Sequence, residues 1–215
     1  VTVQLRLFGY WRSSCSWRVR AALHWKGLDF AYTPVNLLQR AQLDPAFTAM
    51  NPVGQVPVLE VRTPAGAHRL HQSLAILEWL EETFPTPALL PADALARARV
   101  RGLAELVNAS IQPLQNLVVL AQVEALGGDK AAFAGQFIRR GLAAFEAEVA
   151  GETGPFAVGD APSFADLCLV PQLYGARRFG VDLAPYPRLC AIEAACAALP
   201  AFAAAHPDRQ PDAVA

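Results

Sequence analysis

The first 84 residues switch between two hydrophobic periods. "TVQLRLFG" alternates apolar and polar positions and reads as a strand, and "SWRVRAALHWKG" follows with the spacing of an amphipathic helix stopped at Gly27. "DFAYTPVNL" reads as a second strand, a short helix falls around "LDPAFTAM", and "VPVLEVRTPAGAHRL" reads as a β-hairpin turning at "TPAG". The helix "QSLAILEWLEETF", with Leu74, Leu77, Leu80 and Phe84 along one face, closes the unit. The order β-α-β-α-β-β-α predicts a mixed four-stranded sheet with helices on both faces.

"PTPALLP", residues 85–91, breaks the pattern and reads as a linker. Beyond it the apolar spacing is helical throughout, in runs from about Asp93 to Ala125, Lys130 to Val149, Ser163 to Phe179 and Tyr186 to Leu199. The expected organisation is therefore an α/β domain over residues 1–84 and an all-helical bundle over 92–215. Pro113 and Pro171 fall inside helical runs, where each deletes a hydrogen bond and bends the helix. Gln112, Gln115 and Asn116 cluster at the first of these bends.

Composition narrows the classes of function. Of the 215 residues 53% are hydrophobic and 17% charged, which suits a folded domain rather than a disordered chain. A formal net charge of -1 supplies no field to draw in nucleic acid or anionic lipid, so neither is an expected partner. No apolar run approaches the length of a membrane span, and the opening octet alternates instead of showing the regions of a signal peptide. Cys15, Cys168, Cys190 and Cys196 form no CxxC, and His24, His68, His71 and His206 are scattered, so no metal site is expected. Few cysteines in a chain of this size point to a reducing, cytoplasmic setting.

Chemistry concentrates in "RSSCSWRVRAAL", Arg12 to Leu23, at a strand-to-helix turn. Ser13 and Ser14 stand where a helix N-cap belongs, and a serine there accepts an amide hydrogen bond worth about 1 kcal/mol. The same position suits an anion, because the helix dipole and the first amides favour negative charge. A thiol of pKa near 8.5 is only about 3% ionised at pH 7, so such a site would do chemical work on it. Cys15 admits a third role as a nucleophile, although Arg18 stands where a resolving cysteine would be. Tyr10 and Trp11 are candidates for the wall of such a site or for the core. Two further stretches complement this turn. A cis Val56–Pro57 bond would turn the Val56 backbone outward to pair with a peptide-like ligand, and Ser73, after Gln72, could cap a helix whose amides receive a carboxylate.

The set "RSSCSWRVRAAL", "NPVGQVPVL", "HQSLAILEWLEE", "PTPALLP", "IQPLQNL", "ADLCLVPQ" and "RQPD" resembles the zeta class of glutathione transferases, the family of maleylacetoacetate and maleylpyruvate isomerases. The resemblance runs from about Leu5 to Asp212. It implies a thioredoxin-like domain followed by a helical one, in a homodimer, with glutathione as cofactor. It assigns Ser13 to the glutathione thiolate, with Ser14 and Cys15 beside it. By motif the glutathione site would comprise Ser13, Ser14, Gln42, Val56, Gln72, Ser73, Gln112 and Asn116. "SFAD", Ser163 to Asp166, resembles the superfamily's N-capping box and reads as structural.

The implied reaction is reversible addition of glutathione thiolate to a cis double bond, rotation, and expulsion of the thiolate to leave the trans product. Maleylacetoacetate would become fumarylacetoacetate. The substrates are dicarboxylates, which arginine grips with two prongs, and Arg12 and Arg178 are the clamp candidates. Arg177 reads as a solvated charge, and Arg18 and Arg20 as salt-bridged or solvated. Leu117 and Val118 stand where relatives acting on maleylpyruvate carry arginine, which favours maleylacetoacetate. Maleylpyruvate isomerisation, general conjugation of electrophiles, a Cys15-dependent thiol oxidoreductase and a silent binding domain are the competing readings.

Overall fold

Strand β1 (Gln4–Gly9) runs parallel to β2 (Phe30–Pro34) on one side and antiparallel to β3 (Val58–Thr63) on the other. β3 turns into β4 (Gly66–His71), giving the order β2-β1-β3-β4. Period-two alternation puts Leu5 and Leu7 beside Val61 and Leu59 on one face, all buried. Helices α1 (Ser14–Trp25) and α3 (Ser73–Thr83) pack together and bury Val19, Leu23, Ile76, Leu77 and Leu80. A smaller cluster of Val35, Phe47 and Val58, with Phe8, Met50 and Val56 against it, is closed by the short helix α2 (Pro45–Thr48). The buried side of α3 includes Ile76 in place of the expected Leu74, which is only half-buried, and Phe84 caps the helix.

The computed structural model describes residues 3–214, and these fall into two units. The first joins the sheet, up to Ala88, with the chain from Leu199 onward; the second is Leu89–Ala198. The sequence pattern placed the last segment with the helical half, whereas it forms helix α9 (Pro200–Ala205) and packs on α1.

Leu89–Ala198 is helical throughout its regular structure. The run expected from Asp93 to Ala125 divides at Pro113 into α4 (Ala94–Ser110), a 3-10 turn (Gln112–Gln115) and α5 (Leu117–Ala125). Pro113 is the second residue of that turn, still within the opening turn, where a missing N–H costs little. α6 (Lys130–Val149), α7 (Phe164–Arg178) and α8 (Pro187–Ala197) complete the unit. α7 is buried on nearly all sides, Pro171 included, and packs on α4 and α8. Its start is the predicted capping box: the Asp166 carboxylate accepts from Ser163 N–H and O–H, both at 2.8 Å, and also from Ala157 N–H. Asp166 is thus committed to structure.

Candidate active site

Register decides which loops meet. Phe8 of β1 is opposite Val58 of β3, Val58 is opposite His71 of β4, and Gly9 is opposite Pro34 of β2. The turn after β1, the Val56–Pro57 entry to β3 and the Gln72–Ser73 exit from β4 therefore share one end of the sheet. Helices α1 and α3 both begin there, so two helix N-termini converge on it. The Val56–Pro57 bond is cis, the condition under which Val56 was considered for a peptide-like ligand.

Ser13 is the N-cap of α1: its Oγ accepts from Ser16 N–H at 3.2 Å. The capping reading is thus realised, and it uses the oxygen as acceptor while the hydroxyl proton remains available to donate. Ser14 and Cys15 follow as the first two helical residues, and all three are half-buried. Arg12 is half-buried too, with its guanidinium over the Trp11 ring at 5.1 Å.

Ser73 does not cap α3. The N-cap is Gln72, whose side chain makes no cap bond, and the Ser73 hydroxyl instead accepts from the Arg18 guanidinium at 3.2 Å. Gln72 is exposed and has φ +69°, a left-handed conformation that a side-chain-bearing residue adopts at a cost of about 1–3 kcal/mol. Strain of this kind is concentrated at ligand-holding turns. Gln42 lies in a 3-10 turn (Ala41–Leu43) packed against Gly54 of "NPVGQVPVL". A Cβ on Gly54, whose φ is +66°, would come within 3.1 Å of the Gln42 carbonyl oxygen, so only glycine permits this approach.

Arg18 and Arg20 are both fully buried, so neither is solvated. Arg20 donates to the carbonyls of Trp11 (2.8 Å), Tyr10 (3.4 Å) and Ala205 (3.2 Å). Burial lowers its pKa to about 10, against the opposing pull of Tyr32 and Asp212. The same burial raises the Tyr32 phenol. Tyr10 and Trp11 are themselves buried, Tyr10 N–H donating to Ser16 Oγ and Trp11 N–H to the Asp212 carboxylate. Ser16 and Asp212 were not singled out from sequence. Both stand inside quoted motifs, Asp212 at the end of "RQPD", but no local signal ties it to a turn two hundred residues away.

The remaining named residues belong to the second unit. Gln112 opens the 3-10 turn, half-buried, and Asn116 caps α5 by accepting from Val118 N–H at 3.1 Å. Between them Gln115 exchanges hydrogen bonds with the buried Gln172. Arg178 ends α7 and is exposed. Arg177 is a surface charge but not merely solvated, since it forms a two-pronged pair with Glu193.

Comparison with known proteins agrees with this architecture. Residues 12–83 match the family model for the glutathione S-transferase N-terminal domain, and residues 127–200 that for the C-terminal domain. A maleylacetoacetate isomerase of Rhizobium meliloti is 49% identical over 208 residues, covering 94% of this chain and 96% of that one. The crystal structure of a maleylacetoacetate isomerase from Anaeromyxobacter dehalogenans, with bound GSH in the active site, is 56% identical, with 99% of each chain covered and a TM-score of 0.92. A holo maleylpyruvate isomerase, a bacterial glutathione S-transferase in the zeta class, is 45% identical, with 97% of this chain and all of that one covered and a TM-score of 0.92. The chain belongs to the zeta class of glutathione transferases, the family of the maleylacetoacetate and maleylpyruvate isomerases.

Proposed function

We propose that the chain is a glutathione-dependent cis–trans isomerase that converts maleylacetoacetate to fumarylacetoacetate. The observation that carries the reading is the Ser13 hydroxyl, which caps α1 through its oxygen and keeps its proton for a bound anion at the positive end of the helix. The residues present fit a small peptide thiol. Gln42 Oε1 is a buried acceptor without a hydrogen-bond partner among the described residues, and the strained, exposed Gln72 precedes a second helix N-terminus. Glutathione, when bound, supplies a thiol nucleophile able to add reversibly to an activated double bond. Ser13 donates to that sulfur and keeps it ionised near neutral pH, with Ser14 and Cys15 lining the same turn. Val56, Gln42, Gln72 and Ser73 hold the peptide portion, and Gln112 and Asn116 are assigned to it by motif.

Arg12 and Arg178 are the clamp for the substrate carboxylates, a role that guanidinium geometry suits. Arg177 is engaged by Glu193 in a two-pronged pair. Leu117 and Val118 are 59% and 70% exposed at the start of α5, an apolar surface that favours the longer maleylacetoacetate. Maleylpyruvate is the second candidate, supported by the similarity to a maleylpyruvate isomerase. A homodimer in the cytoplasm completes the proposal; among the described residues no helix is long and apolar enough to cross a membrane.

The test is a glutathione-dependent assay of both substrates on wild type and Ser13→Ala. Loss of the cap removes about 1 kcal/mol of stability, too little to unfold the domain. Loss of the donor lowers turnover by about 100-fold or more. A folded protein that binds glutathione and turns over neither substrate refutes the isomerase.

A further inference from the structure

The turn that carries Arg12 and Ser13 is held from the far end of the chain. Asp212 Oδ2 accepts from Trp11 N–H at 3.0 Å and from Tyr32 O–H at 3.3 Å, while Oδ1 is buried with no hydrogen-bond partner among the described residues. Arg20 fixes the other side of the same turn through the Tyr10 and Trp11 carbonyls, and reaches Ala205 in α9. The tail between these anchors is itself braced, since Gln210 Nε2 donates to the carbonyls of Ala204 and His206. Tyr10 is tied by Ser16 Oγ to its N–H and by Ser13 N–H to its carbonyl. Every backbone donor and acceptor of Tyr10 and Trp11 is thereby engaged, and the Trp11 N–H depends on the tail alone.

We propose that Asp212 is a positioning residue for the catalytic turn, acting through the Trp11 amide to set the placement of the Ser13 hydroxyl. The inference rests on the glutathione reading above. A peptide plane held at both its N–H and its C=O cannot rotate, and rotation at Trp11 would swing Arg12 and Ser13 away from the end of the sheet. Asp212 is half-buried, and its buried, unsatisfied Oδ1 carries a desolvation cost that the contacts of Oδ2 must offset. The other groups facing it are the Arg20 cation and the Tyr32 phenol, so the local charge is largely balanced. What the tail then contributes is direction rather than field.

The experiment measures the ultraviolet absorbance of bound glutathione thiolate against pH in the full chain, together with glutathione affinity. Asp212→Asn keeps an acceptor for Trp11 N–H and leaves the apparent thiol pKa within a few tenths of wild type. Asp212→Ala removes the acceptor, and Asp212→Glu displaces it while keeping the charge. Each raises the apparent pKa by about one unit, a tenfold loss of thiolate at fixed pH below it. Should Asp212→Ala fail to fold, the Asn and Glu pair decides. Unchanged thiol pKa in a folded Glu variant overturns the proposal, as does an Asn variant shifted as far as Glu. A wild type that binds no glutathione overturns the functional reading along with it; a wild type that binds it as thiolate, with variants unshifted, overturns the positioning role alone.

Discussion

Arg12, Arg18 and Arg20 stand close together in sequence and meet three different fates. Arg12 is half-buried over Trp11, Arg18 is buried and donates to Ser73, and Arg20 is enclosed by carbonyls and Tyr32. Nothing in the residue type separates them; a helical offset separates the faces, and the packing of α3 and α9 on α1 closes over the inner two. Arg20→Met is therefore expected to cost about 3 kcal/mol or more, because it leaves the buried carbonyls of Trp11 and Ala205 without their donor. Urea unfolding checks this. Arg20→Lys recovers little, since one ammonium cannot reproduce a planar fork aimed at three acceptors.

At the scale of elements the sheet was legible because alternation is a direct consequence of strand geometry. Its charged face was not. Glu60 of β3 lies between Arg6 of β1 and Arg69 of β4 in register, and accepts from the Arg62 side chain at 2.8 Å. The Arg62 hydrogen bond, with the charges of Arg62 and Arg69, holds the Glu60 pKa below its ordinary value of 4.5. The stabilisation this represents is complete above that value and is lost as pH falls below it. Glu60→Gln should flatten the loss of urea resistance as pH falls through and below the ordinary carboxylate range, relative to wild type. An equal acid loss in both proteins would show that Glu60 contributes nothing. Helix breaks were harder to read than strands. Pro113 announced a bend, but not the 3-10 turn that forms there, nor the close packing of Ile111, just before it, on Gly141 of α6, where a Cβ would lie 2.2 Å from Ile111.

For the molecule as a whole the boundary at "PTPALLP" is the informative feature. Its composition suggests a short linker, and its first part is fastened. Lys26, with a fully buried side chain, donates to the Glu81 carboxylate at 2.7 Å and to the carbonyls of Phe84 and Pro87, and Trp25 Nε1–H donates to Ala88. Leu89 and Leu90 are buried in turn, and the Leu89 carbonyl accepts from Phe164 N–H. Lys26→Met removes the cation beside a buried carboxylate and strips two carbonyls of a donor, at an expected cost of about 3–5 kcal/mol. The double variant Lys26→Met/Glu81→Leu should recover much of that, as calorimetry or urea unfolding would reveal. Failure of the double variant to recover would place the cost in the other partners of Lys26 and Glu81, the Phe84 and Pro87 carbonyls among them.

What the sequence by itself determined was everything that local periodicity and motif encode. This covers the chain order of strands and helices, the helical half, the Ser163–Asp166 box, and the Ser13 cap, whose hydrogen bond to Ser16 N–H is made within one helical turn. Tertiary structure decided what long-range closure governs. It buried Arg18 and Arg20, took Ser73 away from its cap, and returned the chain from Leu199 to the sheet unit. It also brought Asp212 to the Trp11 amide. Such pairings leave no mark on the pattern of neighbouring residues, because a hydrogen bond across two hundred positions is specified by the packing of α9 on α1 and not by the residues at either end.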